Sequence, residues 1–313
     1  MKTKHDFLSI TDLSVKEILG VFTMALKLKK EFKGKGSNKE FFKGKTLAMI
    51  FEKPSLRTRI SFEAGMTQLG GHAIYLGPAD IGMGKRELIS DIAKVISSMA
   101  DIIMARVFSH RTVEELAANS IVPVINGLSD LEHPCQILAD LLTILEVKGG
   151  FDGLTIGYVG DGENNVTHSL CLASAILGIN FNCGSPKGYF MNKDVVAKAK
   201  IIAKKTGVKI LETISPQEAV RGTDVVYTDT WISMGDEAEK EQRIKAFKSY
   251  QVDEKLMSLA KEKAIFMHDL PAYRGNEVSA EVIDGSQSVV FQQAENRLHA
   301  QKALILFLKG IKI

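Results

Sequence analysis

Thiols are scarce in this chain. Cys135, Cys171 and Cys183 are the only three in 313 residues, and they form no CxxC pair and no metal-ligand spacing. A reduced, cytoplasmic setting is the default. An excess of one charge is also missing. Forty basic and 37 acidic residues leave a formal charge of +3, too small to point to nucleic acid or a membrane surface. No uncharged apolar run approaches the roughly 20 residues that span a bilayer. Met1 to Asp6 is charged and lacks the apolar core of a signal peptide, so a soluble protein is expected. Low-complexity segments and short internal repeats are absent. The Lys-rich stretch from Lys27 to Lys45 reads as a solvated helix end and loop.

What is present is an ordinary globular composition, 45% hydrophobic and 25% charged, on a chain long enough for two domains. Apolar strand-like runs alternate with helix-like runs. The strands expected are Thr46–Phe51, Ala73–Leu76, Ile102–Val107, Pro123–Asn126, Leu154–Val159, Asn180–Cys183, Lys209–Thr213, Asp224–Thr228 and Ala264–His268. Periodic segments such as Leu88–Met99, Cys135–Leu145, Val166–Ile176 and Asp194–Thr206 lie between them. That alternation predicts an α/β fold of parallel sheets flanked by helices. Lys148-Gly149-Gly150 follows a long helix and precedes a fresh strand, which makes it the expected domain boundary. Four strands fall before it and five after, giving two similar α/β halves. An opening helix is expected over Val15 to Leu26, with Val15, Ile18, Leu19, Phe22 and Leu26 on one face, and a closing helix over Gln292 to Leu308.

Ligands of open parallel sheets bind beyond the carboxyl ends of the strands, so the residues just after each strand matter most. After the first comes Ser55-Leu56-Arg57-Thr58-Arg59, where hydroxyls and guanidinium groups crowd at the start of a helix. Helix N-termini attract anions, and arginine adds planar donors suited to phosphate, so the stretch reads as a phosphate cradle. Arg106 ends the third strand, either as a salt-bridged structural arginine or as a second guanidinium aimed at the same anion. After the fourth comes Glu132-His133-Pro134-Cys135-Gln136. His133 at a helix start is disfavoured as a cation, and with Gln136 it suits a carbonyl oxygen beside an amide nitrogen.

The second half repeats the arrangement with different chemistry. Gly160-Asp161-Gly162-Glu163-Asn164-Asn165 opens a helix, but the G-x-G-x-x-G spacing fails at Asn165 and the loop is acidic. A nicotinamide dehydrogenase is therefore disfavoured, and an amine or amino-acid ligand is expected. Asp229-Thr230-Trp231-Ile232-Ser233-Met234-Gly235 brings a second carboxylate and a hydroxyl. His268-Asp269-Leu270-Pro271-Ala272-Tyr273-Arg274-Gly275 follows the last strand, with Pro271 inviting a special backbone geometry. Each loop alone reads more readily as a polar turn; together they favour one site. A phosphorylated carbonyl compound attacked by an amine fits the two halves.

Ser-x-Arg-Thr-Arg, His-Pro-Cys-Gln, Asp-x-Trp-x-Ser-Met-Gly and His-x-Leu-Pro-x-x-Arg-Gly, in this order and spacing, resemble the aspartate/ornithine carbamoyltransferases over nearly the whole chain. Cys135 and the Ser-Met-Gly loop are similar to the ornithine branch, and Gln293-Ala294-Glu295-Asn296-Arg297 resembles the stretch whose arginine contacts carbamoyl phosphate. The resemblance implies two doubly wound parallel-sheet domains with the active site in the cleft between them. A carbamoyl-phosphate domain would cover 1–147 plus 290–313, and an ornithine domain 148–289. It implies that Ser55, Leu56, Arg57, Thr58, Arg106, His133, Gln136, Leu270 and Arg297 bind carbamoyl phosphate. Asn165, Asp229, Ser233 and Met234 would hold ornithine, with Arg106, His133 and Asp269 catalytic. The implied reaction gives L-citrulline and phosphate, needs no cofactor and no metal, and is carried out by a homotrimer or a multiple of trimers.

Two positions depart from the family pattern. Asp269 stands where ornithine enzymes usually carry Cys. There a carboxylate would either attract the ammonium form of the substrate or take the proton from the attacking amine. Gly82, in Asp80-Ile81-Gly82-Met83-Gly84-Lys85-Arg86-Glu87, stands where a Gln often reaches a neighbouring subunit's ligand, a role left to Lys85 or Arg86. Two alternatives follow: a sister carbamoyltransferase using putrescine or an N-acylated ornithine, and a weakly catalytic paralogue that binds the same ligands.

Overall fold

The computed structural model describes residues 5–82, 87–232 and 237–313. The chain divides into two compact units, residues 1–142 with 295–313 and residues 143–294. The division falls inside the helices Pro134–Lys148 and Val290–Leu308.

The first unit is built on β1 (Thr46–Phe51), β2 (His72–Leu76), β3 (Ile102–Arg106) and β4 (Val124–Leu128), paired in the order β2-β1-β3-β4. Every pairing is parallel. Strands of such a sheet are covered on both faces and read as unbroken apolar runs, which is why Leu-Ala-Met-Ile-Phe and Ile-Ile-Met-Ala are buried throughout. Beyond β4, Phe7 adds an isolated parallel bridge to Ile125, and its carbonyl accepts from the Asn126 N–H at 2.8 Å. The second unit carries β5 (Thr155–Val159), β6 (Asn180–Gly184), β7 (Ile210–Thr213), β8 (Val225–Tyr227) and β9 (Ile265–Met267), parallel in the order β7-β6-β5-β8-β9.

All nine strands lie within two residues of the runs read from sequence. The opening helix is longer than expected, Val15–Lys35, and its buried face is Ile18, Val21, Phe22, Ala25, Leu28 and Lys29. Val15 and Leu19 are exposed, so the stripe is rotated from the one expected. A buried Lys29, whose ammonium donates to Asn296 Oδ1 at 2.7 Å, breaks the apolar pattern where the helix continues.

Strand order decides where each unit can bind a ligand. In the first sheet the chain leaves β1 for β2 on one side and returns to β3 on the other. In the second it leaves β5 for β6 and β7, then returns to β8. Those reversals open a crevice at the carboxyl ends of β1 and β3, and of β5 and β8.

Candidate active site

The first crevice is lined by the cradle. Ser55 caps the helix Leu56–Gln68: its Oγ accepts from the Thr58 N–H and donates to Thr58 Oγ1 at 3.1 Å. The N–H groups of Leu56 and Arg57 lie in the first turn, where the partial positive charge of a helix is concentrated. Thr58 is fully buried, and Arg297, 2% exposed, donates to its Oγ1 at 2.7 Å. The other guanidinium nitrogen donates to Gln136 Oε1 at 2.5 Å, and Gln136 Nε2 donates to Asp140 Oδ1 at 2.8 Å. Both ends of the Gln136 amide are thus fixed by protein partners, and Arg297 ties the cradle to the helix Pro134–Lys148. Arg59, the last motif residue, turns elsewhere. It pairs with Glu63 at 3.1 Å and stacks on Tyr75 at 4.2 Å.

Arg106 closes β3, where the pairing with β4 slips by one residue between Ala105 and Arg106. Such bulges re-aim a side chain at the end of a ladder. Gly127 occupies the slip, and a Cβ there would lie 2.5 Å from Met104 Sδ. His133 is buried beside it in sequence after β4, and its carbonyl accepts from the Gln136 N–H at 3.1 Å. The N-terminal segment braces this loop, because Glu132 Oε2 accepts from the Ile10 N–H at 3.2 Å. Cys135 is buried, donates to the Asn126 carbonyl, and has its thiol pushed up to about 12 by burial. It is a packing residue.

The second crevice gathers carboxyl groups. Asp229, just after β8, is buried. Its Oδ2 accepts from Asn164 Nδ2 at 2.5 Å and its Oδ1 from the Thr230 N–H at 2.6 Å. Burial, and then the neighbouring Asp269, raise its pKa well above the usual carboxylate range. Asp269, His268 and Asp229 each present one donor atom within 4.8 Å of the others. The His268 nitrogens are both engaged, Nε2 with Glu277 Oε1 at 3.2 Å and Nδ1 with the Leu270 N–H at 2.9 Å. That leaves the two carboxyl groups facing each other without a free imidazole lone pair for a cation. Burial works against charge on His268, but Asp269, Glu277 and Asp229 hold its pKa up at about 9. The Leu270 contact opposes that rise, since a ring protonated at Nδ1 would set two N–H donors head to head, and we assign the neutral Nε2–H form. Leu270 has φ +63°, and Leu270–Pro271 is cis.

The sequence singles out Asn165, and the structure adds Asn164, whose amide reaches Asp229. The cap position immediately before the helix Asn165–Leu177 is the signal: Asn164 Oδ1 accepts from the Val166 N–H while its amide reaches Asp229. Asn165 is the first residue of that helix and half-buried. Asp161, read as part of an amine-receiving loop, is committed to Arg243 at 2.7 Å. Burial raises its pKa to about 6 against the pull of that guanidinium. Gly162 is required by close packing rather than by a pyrophosphate, because a Cβ there would lie 2.6 Å from the Tyr189 carbonyl. Ser233 and Met234, and Lys85 and Arg86, lie outside the described residues.

The family model for the carbamoyl-phosphate-binding domain of aspartate/ornithine carbamoyltransferase matches residues 5–146, and that for its Asp/Orn-binding domain matches residues 152–308. The chain is 55% identical to ornithine carbamoyltransferase of Oceanobacillus iheyensis, covering 97% of this chain and 94% of that one. It is 53% identical to the enzyme of Anoxybacillus flavithermus, over 97% and 96%. The solved ornithine carbamoyltransferase of Pyrococcus furiosus superposes with a TM-score of 0.94 at 48% identity, covering 99% of each chain.

Proposed function

The chain belongs to the aspartate/ornithine carbamoyltransferase family, and on that premise we propose that it transfers the carbamoyl group of carbamoyl phosphate to the side-chain amine of L-ornithine, giving L-citrulline and phosphate. One observation carries the choice of amine. The second crevice presents two facing carboxyl groups, Asp229 and Asp269, which would repel a dicarboxylate such as aspartate and receive an ammonium. A bound cation stabilises their ionised form and reverses the rise in the Asp229 pKa.

The roles follow from that chemistry. The first-turn N–H groups at Leu56 and Arg57, with Ser55, Thr58 and the Arg57 guanidinium, hold the phosphate. Arg297 fixes Thr58 and Gln136 beneath it. The neutral side-chain amine attacks the carbonyl carbon, the new C–N bond forms, and the C–O bond to phosphate breaks with its electron pair leaving on phosphate. Arg106, His133 and Thr58 donate to the carbonyl oxygen as negative charge gathers there. Asp269 takes the proton that the nitrogen sheds. Asn165, Asp229, Ser233 and Met234 hold the α-amino and α-carboxylate groups, with Asn164 orienting Asp229, and Leu270 contacts the carbamoyl group. Orienting both ligands supplies up to roughly 7–11 kcal/mol of the barrier reduction in favourable cases.

We also read the chain as a cytoplasmic homotrimer, or a multiple of it, supplying citrulline for arginine biosynthesis. Leu56, Ile60, Leu88, Val95 and Met99, all of the first unit, are large apolar side chains at least half exposed, as an oligomeric surface needs. Among the described residues no helix is long and apolar enough to cross a membrane.

The substrate assignment is tested by a colorimetric citrulline-type assay with ornithine, N-acetylornithine, putrescine and aspartate in parallel. Ornithine is expected to give the highest kcat/KM; a preference for putrescine or the acylated amine would reject the role given to Asp229.

A further inference from the structure

Lys302 is fully buried, and the chemistry above gives it nothing to do. Its ammonium donates to Asn38 Oδ1 at 2.7 Å and to Gln68 Oε1 at 2.7 Å, and it lies 5.0 Å from the centre of the Phe32 ring. No carboxylate among the described residues forms an ion pair with it. Glu31 comes nearest in effect, acting on the ammonium through its charge, and Asn38 lies between them, its Nδ2 donating to Glu31 Oε2 at 3.1 Å. A buried cation held by neutral amides is expensive, and burial draws the Lys302 pKa down to about 8 against the pull of Glu31. Its charge in turn helps burial push His299, one turn earlier on the same helix, down to about 4. A methionine or leucine would fill the same space without that penalty, so the ammonium needs a reason.

Gln68 is the reason. It is the last residue of the helix Leu56–Gln68, whose first turn is the phosphate cradle. The helix Val290–Leu308 meets that helix at three heights. Arg297 reaches Thr58 at its start. Leu298 and Lys302 close on Gly65, where a Cβ would lie 3.5 Å from Leu298 Cδ1 and 3.3 Å from Lys302 Cγ. Lys302 takes Gln68 at its end. A cation at the C-terminal turn sits against the negative end of the helix dipole. Arg297 and Lys302 thereby fix both the axial position and the tilt of the cradle helix, and so the direction in which its first N–H groups point.

We propose that Lys302 is a positioning residue for the phosphate cradle, setting the affinity for carbamoyl phosphate through Gln68 at the far end of the helix. The proposal rests on carbamoyl phosphate binding at Ser55–Thr58, a reading that the parent enzyme's own turnover tests separately. Lys302→Met and Gln68→Leu are each expected to raise KM for carbamoyl phosphate about tenfold, leaving kcat at saturation and KM for ornithine within about twofold. Gln68→Glu, which keeps the acceptor and adds a carboxylate, should hold KM for carbamoyl phosphate within about twofold of the parent. Circular dichroism melts identify which variants fold; if Lys302→Met does not, Gln68→Leu decides alone. An active parent with an unchanged carbamoyl-phosphate KM in the folded variants would overturn the proposal. So would an equal loss in every kinetic parameter, or a Gln68→Glu enzyme as impaired as Gln68→Leu.

Discussion

Asp269 faces Asp229 in the second crevice, and the proposed function makes it the acceptor of the amine proton. In that proposed role it would contribute a factor of about 10²–10⁴. Asp269→Asn should lower kcat by about 10² or more, and Asp269→Cys should also be slower than the parent. A faster Cys variant would mean that the carboxylate hinders rather than helps. Thiol chemistry gives a second check at this scale. All three native cysteines are buried, and burial raises each thiol pKa, to about 12 at Cys135 and Cys183. The native enzyme should therefore yield less than one thiol to a disulfide reagent, whereas Asp269→Cys should yield one that ornithine protects. His299 supplies the pH dependence. Burial and the charges of Lys302 and Lys29 lower its pKa from 6.5 to about 4. The unfolded chain therefore takes up a proton first as pH falls through 6.5, and stability is lost between there and about 4. His299→Gln should flatten that acid limb in urea melts by on the order of 2 kcal/mol. That Ser55 opens a helix and that Asp229 and His133 follow strands was legible in the sequence. Asn164 and Arg243 were not, since their partners Asp229 and Asp161 are 65 and 82 residues away.

At the scale of elements, the strands were legible because a sheet covered on both faces demands unbroken apolar runs such as Ile102-Ile103-Met104-Ala105. Helix phase was less so. Val15 and Leu19 look like part of a buried stripe, yet the stripe runs through Ile18, Val21, Phe22, Ala25 and Lys29, and a buried lysine is invisible to a hydropathy pattern. Strand order was not legible at all, so the crevices at β1/β3 and β5/β8 emerge only from the sheets. The loops around the second crevice depend on Arg243, which binds Asp161 at 2.7 Å and the Trp231 carbonyl at 3.2 Å and lies 5.2 Å from the Tyr189 ring. Arg243→Met leaves a buried carboxylate without its partner. It should destabilise the protein by about 3 kcal/mol in urea melts, as breaking one half of a buried pair does. An unchanged melt would show that the loops are held by other contacts.

For the whole molecule, the two family domains correspond to the two ligands of the proposed reaction: the carbamoyl-phosphate-binding model matches residues 5–146 and the Asp/Orn-binding model residues 152–308. The resemblance to the family was legible because its four motifs sit at strand ends, where chain length between motifs is fixed by the helices. Assembly was not, because exposed apolar residues such as Met99, 80% exposed, carry no label for what covers them. Light scattering is expected to give three times the 34.3 kDa chain mass, or a multiple of that. The most direct test of the central claim follows citrulline and phosphate together in one reaction of the purified protein with carbamoyl phosphate and ornithine. The account predicts that both form at one-to-one stoichiometry and that neither forms at an enzymatic rate when ornithine is omitted. Phosphate released without citrulline, or ligand binding with no turnover, would contradict it.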